Sequence, residues 1–204
     1  MLSVPGECGL AHSRQTQALA GVRPAHETEL PSAVTIIVHA NKEAASMAPS
    51  DRSPLFLEDF HVGQPFVTRS YQVTAEAIIA FAREFDPQPF HLDPDAAERS
   101  VFRGLVASGW HTASISMRLL VEDGPLFGGG MIGISADLTW PRPTRPSHNL
   151  QLHVEVVEIT PSRSRPDRGT VTIKTETRNQ HDEVVQTFVG KVLVPRRVQT
   201  DASA

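Results

Sequence analysis

Leu105-Val-Ala-Ser-Gly-Trp-His-Thr-Ala-Ser-Ile-Ser-Met-Arg-Leu-Leu-Val121 is the stretch on which the fold turns. Val106, Trp110, Ala113, Met117 and Leu120 recur at helical spacing, and Ile115 and Leu119 widen the apolar arc beyond what a surface helix needs. The pattern predicts a long helix buried at the centre of a domain. After Gly128-Gly-Gly130 the period changes to two. Ile132, Ile134, Ala136, Leu138 and Trp140 alternate with Gly133, Ser135, Asp137 and Thr139, which reads as a strand with one buried face. Leu150, Leu152, Val154 and Val156 repeat the alternation, as do Val171 and Ile173, and Val184 to Val194 forms a last strand beyond the turn Asn179-Gln-His-Asp182. A meander of four antiparallel strands over one long helix is expected.

Upstream, Phe66 to Val73 alternates as a half-exposed strand. Thr74 is placed to cap a helix over Ala75 to Phe85, whose stripe is Ile78, Ile79, Ala82 and Phe85. Pro87 and Pro89 stop it, and a short acidic helix follows at Asp95 to Arg99. The order of elements predicts an α+β domain. Residues 1–50 carry Pro5, Pro24, Pro31 and Pro49 without steady periodicity, and only Ala33 to Val38 has strand-like composition. The chain therefore divides into an appended or disordered segment 1–50, one domain over 51–197, and a flexible tail 198–204.

Composition narrows the function classes. The 204 residues are 40% hydrophobic and 21% charged, enough for a packed core, and a net charge of −4 disfavours nucleic acid as a partner. A single cysteine, Cys8, forms no internal disulfide. No apolar run approaches the ~20 residues that span a bilayer, and Glu7, Arg14 and Gln15 interrupt any secretory apolar region. A cytoplasmic protein without a membrane partner is expected. His26-Glu27-Thr-Glu29 begins like a zinc-protease helix, but position 30 is Leu, so no metal site is assigned.

The densest polar cluster is Asp86-Pro-Gln-Pro-Phe-His-Leu-Asp93. Two prolines in three residues stiffen the backbone and are expected to hold Asp86 and His91 on an extended loop. A carboxylate and an imidazole brought to one water can divide acid and base duties, the more so if desolvation raises the Asp86 pKa toward that of histidine. The same residue types also serve as turn formers. A second cluster, Gly104-Leu-Val-Ala-Ser-Gly-Trp-His111, leads into the long helix, where unpaired N–H groups and a close-approach glycine suit an oxyanion. Read structurally, Ser108 caps the helix, Gly109 packs tightly and Trp110 is core.

Asp86-x-x-Pro-x-His91-x-Asp93, then Gly104-Leu-Val-Ala-Ser-Gly-Trp-His-Thr-Ala, then Leu138-x-Trp140-x-x-Pro143, together resemble the MaoC-like (R)-specific enoyl-CoA hydratase and acyl dehydratase family, over roughly Phe56 to Pro195. The resemblance implies a hot-dog fold, a long central helix wrapped by an antiparallel sheet. It implies that Asp86 and His91 activate one water and that the Gly109 N–H receives the thioester oxygen. It also implies an acyl-CoA substrate, no cofactor or metal, and a homodimer or assembly of dimers.

Gln88 stands where the family often has asparagine, and could orient the water or His91. Ser108, Trp110 and His111 are further candidates to support the site. Trp110 and Phe90 suggest a restricted or reshaped acyl pocket, and His111 reads as a buried polar residue bonded to backbone. Arg142, Arg145, Arg163, Arg165 and Arg168 offer guanidinium groups for the phosphates of coenzyme A. His148 and His153 read as surface residues. A hot-dog thioesterase, directing water at the carbonyl, and a non-catalytic acyl-CoA-binding subunit are the alternatives.

Overall fold

A computed structural model describes residues 53–197. The readings of Cys8, the His26-Glu27 motif, the Ala33–Val38 strand, the 1–50 segment and the 198–204 tail lie outside the described residues. Six strands form one antiparallel sheet: β1 (Pro65–Val67), β2 (Tyr71–Gln72), β3 (Ile132–Thr139), β4 (Asn149–Pro161), β5 (Arg168–Arg178) and β6 (Val184–Pro195). Four helices accompany them: α1 (Ala75–Phe85), α2 (Pro89–Leu92), α3 (Pro94–Glu98) and α4 (Gly109–Asp123). The spatial order is β1-β4-β5-β6-β3, with β2 also on β4. The long helix and antiparallel sheet are those of the hot-dog fold that the family resemblance implies.

The core lies between α4 and the sheet. Ile115, Leu119 and Leu120 descend from the helix onto Leu150, Leu152, Val154 and Val156 of β4, Val171 and Ile173 of β5, and Val192 and Val194 of β6. Each of these strand side chains is at most 2% exposed, and burying one contributes roughly 1.5–3 kcal/mol. Thr74 caps α1 as its hydroxyl accepts the Ala77 N–H at 3.1 Å.

Several expectations need correction. The sheet is not a simple four-strand meander: β4, β5 and β6 follow one another, but β3 crosses over to pair with β6. As an edge strand β3 has no buried face; Ile132 and Ile134 are more than half exposed. The strand read over Phe66 to Val73 is two short pieces, with Thr68 to Ser70 between them. There the Thr68 hydroxyl, rather than a backbone carbonyl, receives the Leu152 N–H. The long helix starts at Gly109, not Leu105, because the Ala107 N–H is taken by the Thr144 carbonyl at 2.8 Å.

Its buried stripe is His111, Thr112, Ile115, Ser116, Leu119 and Leu120, whereas Trp110, Met117 and Val121 face outward. Periodicity alone places the helix without phasing it, since both faces carry apolar residues. Phe85 is likewise exposed, although Ile78 and Ala82 of its stripe are buried. The acidic helix runs Pro94–Glu98, one residue earlier than read, because Pro94 occupies its first turn and the Asp93 carboxylate accepts the Asp95 N–H at 2.8 Å.

Candidate active site

α1 ends at Asp86, whose backbone (φ −152°, ψ 71°) leaves the helix, and Gln88 is extended as the flanking prolines require. Pro89 then opens the one-turn helix α2 rather than continuing an extended loop, since its fixed φ also suits a first helical position. That turn places His91 on the buried side, 5% exposed, while Asp86 stays at the pocket wall. His91 Nδ1 lies 2.7 Å from the Val106 carbonyl oxygen, which can only accept, so Nδ1 carries a proton and Nε2 faces the pocket side. Nε2 stands 3.4 Å from Asp86 Oδ2. The other carboxylate oxygen accepts the Gln88 amide at 2.8 Å, so Gln88 orients Asp86 itself.

The expected upward shift of Asp86 is reversed. The Ser108 hydroxyl is the largest influence, holding the carboxyl below the usual aspartate range, with Gln88 and His91 adding to it against the opposing cost of desolvation. Asp86 is therefore an ionised acceptor at neutral pH. Ser108 also caps α4, its oxygen accepting the Trp110 N–H at 3.2 Å.

Gly109 is the first residue of α4, so its N–H has no carbonyl four residues back within the helix and emerges at the positive end of a fifteen-residue dipole. A Cβ at Gly109 would lie 2.9 Å from the Trp140 ring, so only glycine lets Trp140 pack on this backbone. Preceding it, Arg103 (φ +51°) and Gly104 (φ +137°) make the left-handed turn that delivers Leu105–Ser108 into the site.

Asp86, Gln88, His91, Ser108, Gly109 and Trp110 all line one pocket of about 510 Å³. Phe90, as the sequence led one to expect, lines it too, with Phe102, Val106, Ala107, Thr112 and Trp140 to Thr144. At the exit from β3, the two prolines of Trp140-Pro-Arg-Pro143 are the sequence signal of a rigid wall. Trp110 is not core but 62% exposed, edge-on to Trp140 with ring centroids 5.7 Å apart.

His111 does not line the pocket. It is buried against Phe81 in a parallel stack at 4.7 Å, yet its Nδ1 has no hydrogen-bond partner among the described residues, contrary to the backbone bond expected. Burial first, and the nearby His91 second, push its pKa down to about 4 from 6.5. A histidine depressed in this way leaves stability intact above the unfolded pKa and removes it as pH falls toward the folded one. Stability should thus drop by about 3 kcal/mol between pH 6.5 and 4 through this residue. Denaturant unfolding of the wild type and His111→Phe at both pH values checks this; an equal pH slope in the two would contradict it.

Of the five arginines, only Arg142 lines the pocket, its guanidinium 3.3 Å from the Val184 carbonyl oxygen at the start of β6. Arg145 sits behind Gly104 and donates to the Phe102 carbonyl. Arg168 pairs with Asp167 and lies opposite Pro195 at the far end of β6. The β4–β5 turn with Arg163 and Arg165 is thus about 30 Å along the strands from Arg142. His148 is partly buried, its Nδ1 accepting the Arg145 N–H, rather than a free surface residue. Among the described residues no helix is long and apolar enough to cross a membrane, and no group of three or more His, Cys, Asp or Glu side chains could hold a metal ion.

Residues 59–180 match a family model described as a MaoC like domain. The chain is similar to a MaoC-like dehydratase from Rhodospirillum rubrum, whose crystal structure superposes with a TM-score of 0.69 at 56% identity, over 70% of this chain and 98% of that one. It is 36% identical to the uncharacterized protein YdeM of Bacillus subtilis, over 68% of this chain and 96% of that protein. It is also 29% identical to a 3-hydroxybutyryl-CoA dehydratase of Methylorubrum extorquens, over 74% of this chain and 90% of that protein.

Proposed function

This chain belongs to the MaoC-like dehydratase domain family, and from that membership we propose that it adds water to a trans-2-enoyl-CoA, or removes it from the 3-hydroxyacyl-CoA, with Asp86 and His91 as the acid–base pair. The observation that carries the reading is the facing of His91 Nε2 and Asp86 Oδ2 at 3.4 Å on one pocket wall, with Gly109, the first residue of α4, lining the same pocket. The similarity to a protein named 3-hydroxybutyryl-CoA dehydratase supports the substrate class.

Water held between the two acceptors attacks the β-carbon. The pair takes one water proton and returns a proton to the α-carbon, while the enolate oxygen charge that builds on the thioester is met by the Gly109 N–H and the α4 dipole. A single donor of this kind is worth about 3 kcal/mol of barrier. Gln88 and Ser108 hold the carboxylate ionised and in place, so they position rather than react. Arg142 is the guanidinium best placed to meet a coenzyme A phosphate. The pairing of two copies that the resemblance implies would use the open β3 edge with Ile132 and Ile134, and light scattering distinguishes a dimer from a monomer.

The test is crotonyl-CoA with the purified protein, following enone absorbance and free thiol together. Absorbance loss without thiol release is expected. Thiol release would move the assignment to a thioesterase, and silence in both channels would leave crotonyl-CoA without support as a substrate.

A further inference from the structure

The helix-facing layer of the sheet is not wholly apolar. In register across it run Val154, Thr175, Phe188 and Leu138, and beside them Leu152, Thr177 and Gln186. Thr177 is satisfied by the Ser116 hydroxyl at 2.8 Å. Thr175, only 2% exposed, has a hydroxyl without a hydrogen-bond partner among the described residues. Such an orphan costs stability and calls for a partner that the folded chain does not itself supply.

Gln186, 1% exposed, accepts the Trp140 indole N–H on its Oε1 at 2.9 Å. An indole N–H only donates, so this bond fixes the amide and turns its Nε2 donors away from Trp140. Thr175 and Gln186 both line a groove of about 200 Å³, whose other walls include Met117, Leu138 and Phe188. Trp110 lines this groove and the catalytic pocket alike, and its ring stands edge-on to Trp140 of the catalytic pocket, so one side chain borders both cavities.

The groove follows α4 from Trp110 to Leu120, and Ser116 at its middle stands about 10 Å along the helix axis from Gly109. That direction continues an acyl chain whose thioester oxygen sits at Gly109. No charged side chain lines the groove, so a carboxylate or ammonium tail would be desolvated without a counter-charge. A neutral oxygen would instead accept from Thr175 and Gln186.

We propose, resting on the hydratase reading, that the physiological acyl group carries a neutral carbonyl or hydroxyl oxygen in its tail, seated on Thr175 and Gln186 at the floor of this groove. A plain alkyl tail fills the apolar walls but leaves the Thr175 hydroxyl unpaired. The preference is read as kcat/KM for trans-2-octenoyl-CoA against its 8-hydroxy counterpart, with crotonyl-CoA run alongside.

The wild type should favour the hydroxylated thioester by about tenfold, the worth of one buried hydrogen bond. Thr175→Val should bring the ratio close to one and raise Tm, because it removes a buried unpaired hydroxyl, and Thr175→Ser should keep the wild-type ratio. A wild-type ratio of one or less, or an unchanged ratio in Thr175→Val, overturns the proposal. Hydration of crotonyl-CoA without any tail preference defeats this proposal alone. Hydration of none of the three thioesters defeats the hydratase reading and this with it.

Discussion

Asp86→Asn is expected to hydrate crotonyl-CoA about 10³-fold more slowly than the wild type, with its Tm little changed. The side chain keeps its shape, and the loss is of charge. As an ionised carboxylate, Asp86 accepts from Gln88 on one oxygen and faces His91 on the other. An amide in its place presents a donor or a weak acceptor to the water, and removes the negative charge that would steady a protonated His91. His91→Ala should lose activity to a similar degree but also lose stability. Its Nδ1–H satisfies the Val106 carbonyl, and deleting it leaves that buried acceptor unpaired at a cost of about 1–3 kcal/mol. The pair of variants thus separates chemistry from folding. If Asp86→Asn retained even a tenth of the wild-type rate, the carboxylate would not be the base.

Gly109→Ala carries the second large effect. The added methyl would meet the Trp140 ring at 2.9 to 3.2 Å, too close for real carbon contacts. Either the indole swings out and surrenders its bond to Gln186, or the first turn of α4 shifts and carries the oxyanion N–H with it. Overpacking of this kind costs about 1–3 kcal/mol. A displaced oxyanion donor costs about 10²-fold in kcat. Thermal melts and crotonyl-CoA turnover measure both. The clash is specific to one ring, so Gly109→Ala combined with Trp140→Ala should be less damaged than the sum of the two single variants. Strict additivity would show that glycine is needed there for another reason.

The candidate site was legible to different depths. Asp86 and His91 could be singled out because their chemistry is local, a proline-stiffened carboxylate–imidazole loop, whereas Gly109 at the helix start drew its oxyanion role from the family resemblance. Their meeting in one pocket was not, since it depends on Val106 crossing to His91 and Ala107 to Thr144, contacts 15 and 37 positions apart in the chain. The direction of the Asp86 shift depends on the tertiary structure for the same reason. Burial could be guessed from the loop, but the stronger Ser108 hydroxyl comes from a segment 22 residues away. Thr175 and Gln186 gave no signal at all. Threonine in an alternating strand reads as a good β-former, and only the tertiary arrangement shows that Thr175 lines a groove and that its buried hydroxyl has no partner among the described residues.

By itself the sequence determined the α+β class, the existence of the long helix, and the three long strands of the sheet's centre, because hydrophobic periodicity and turn chemistry are properties of neighbouring residues. The tertiary structure alone decided which face of α4 is buried, where β3 pairs, and which arginine reaches the pocket. Each of these depends on what packs opposite, and side chains such as Trp110, Met117 and Ile134 are apolar whether they meet a core or the outside.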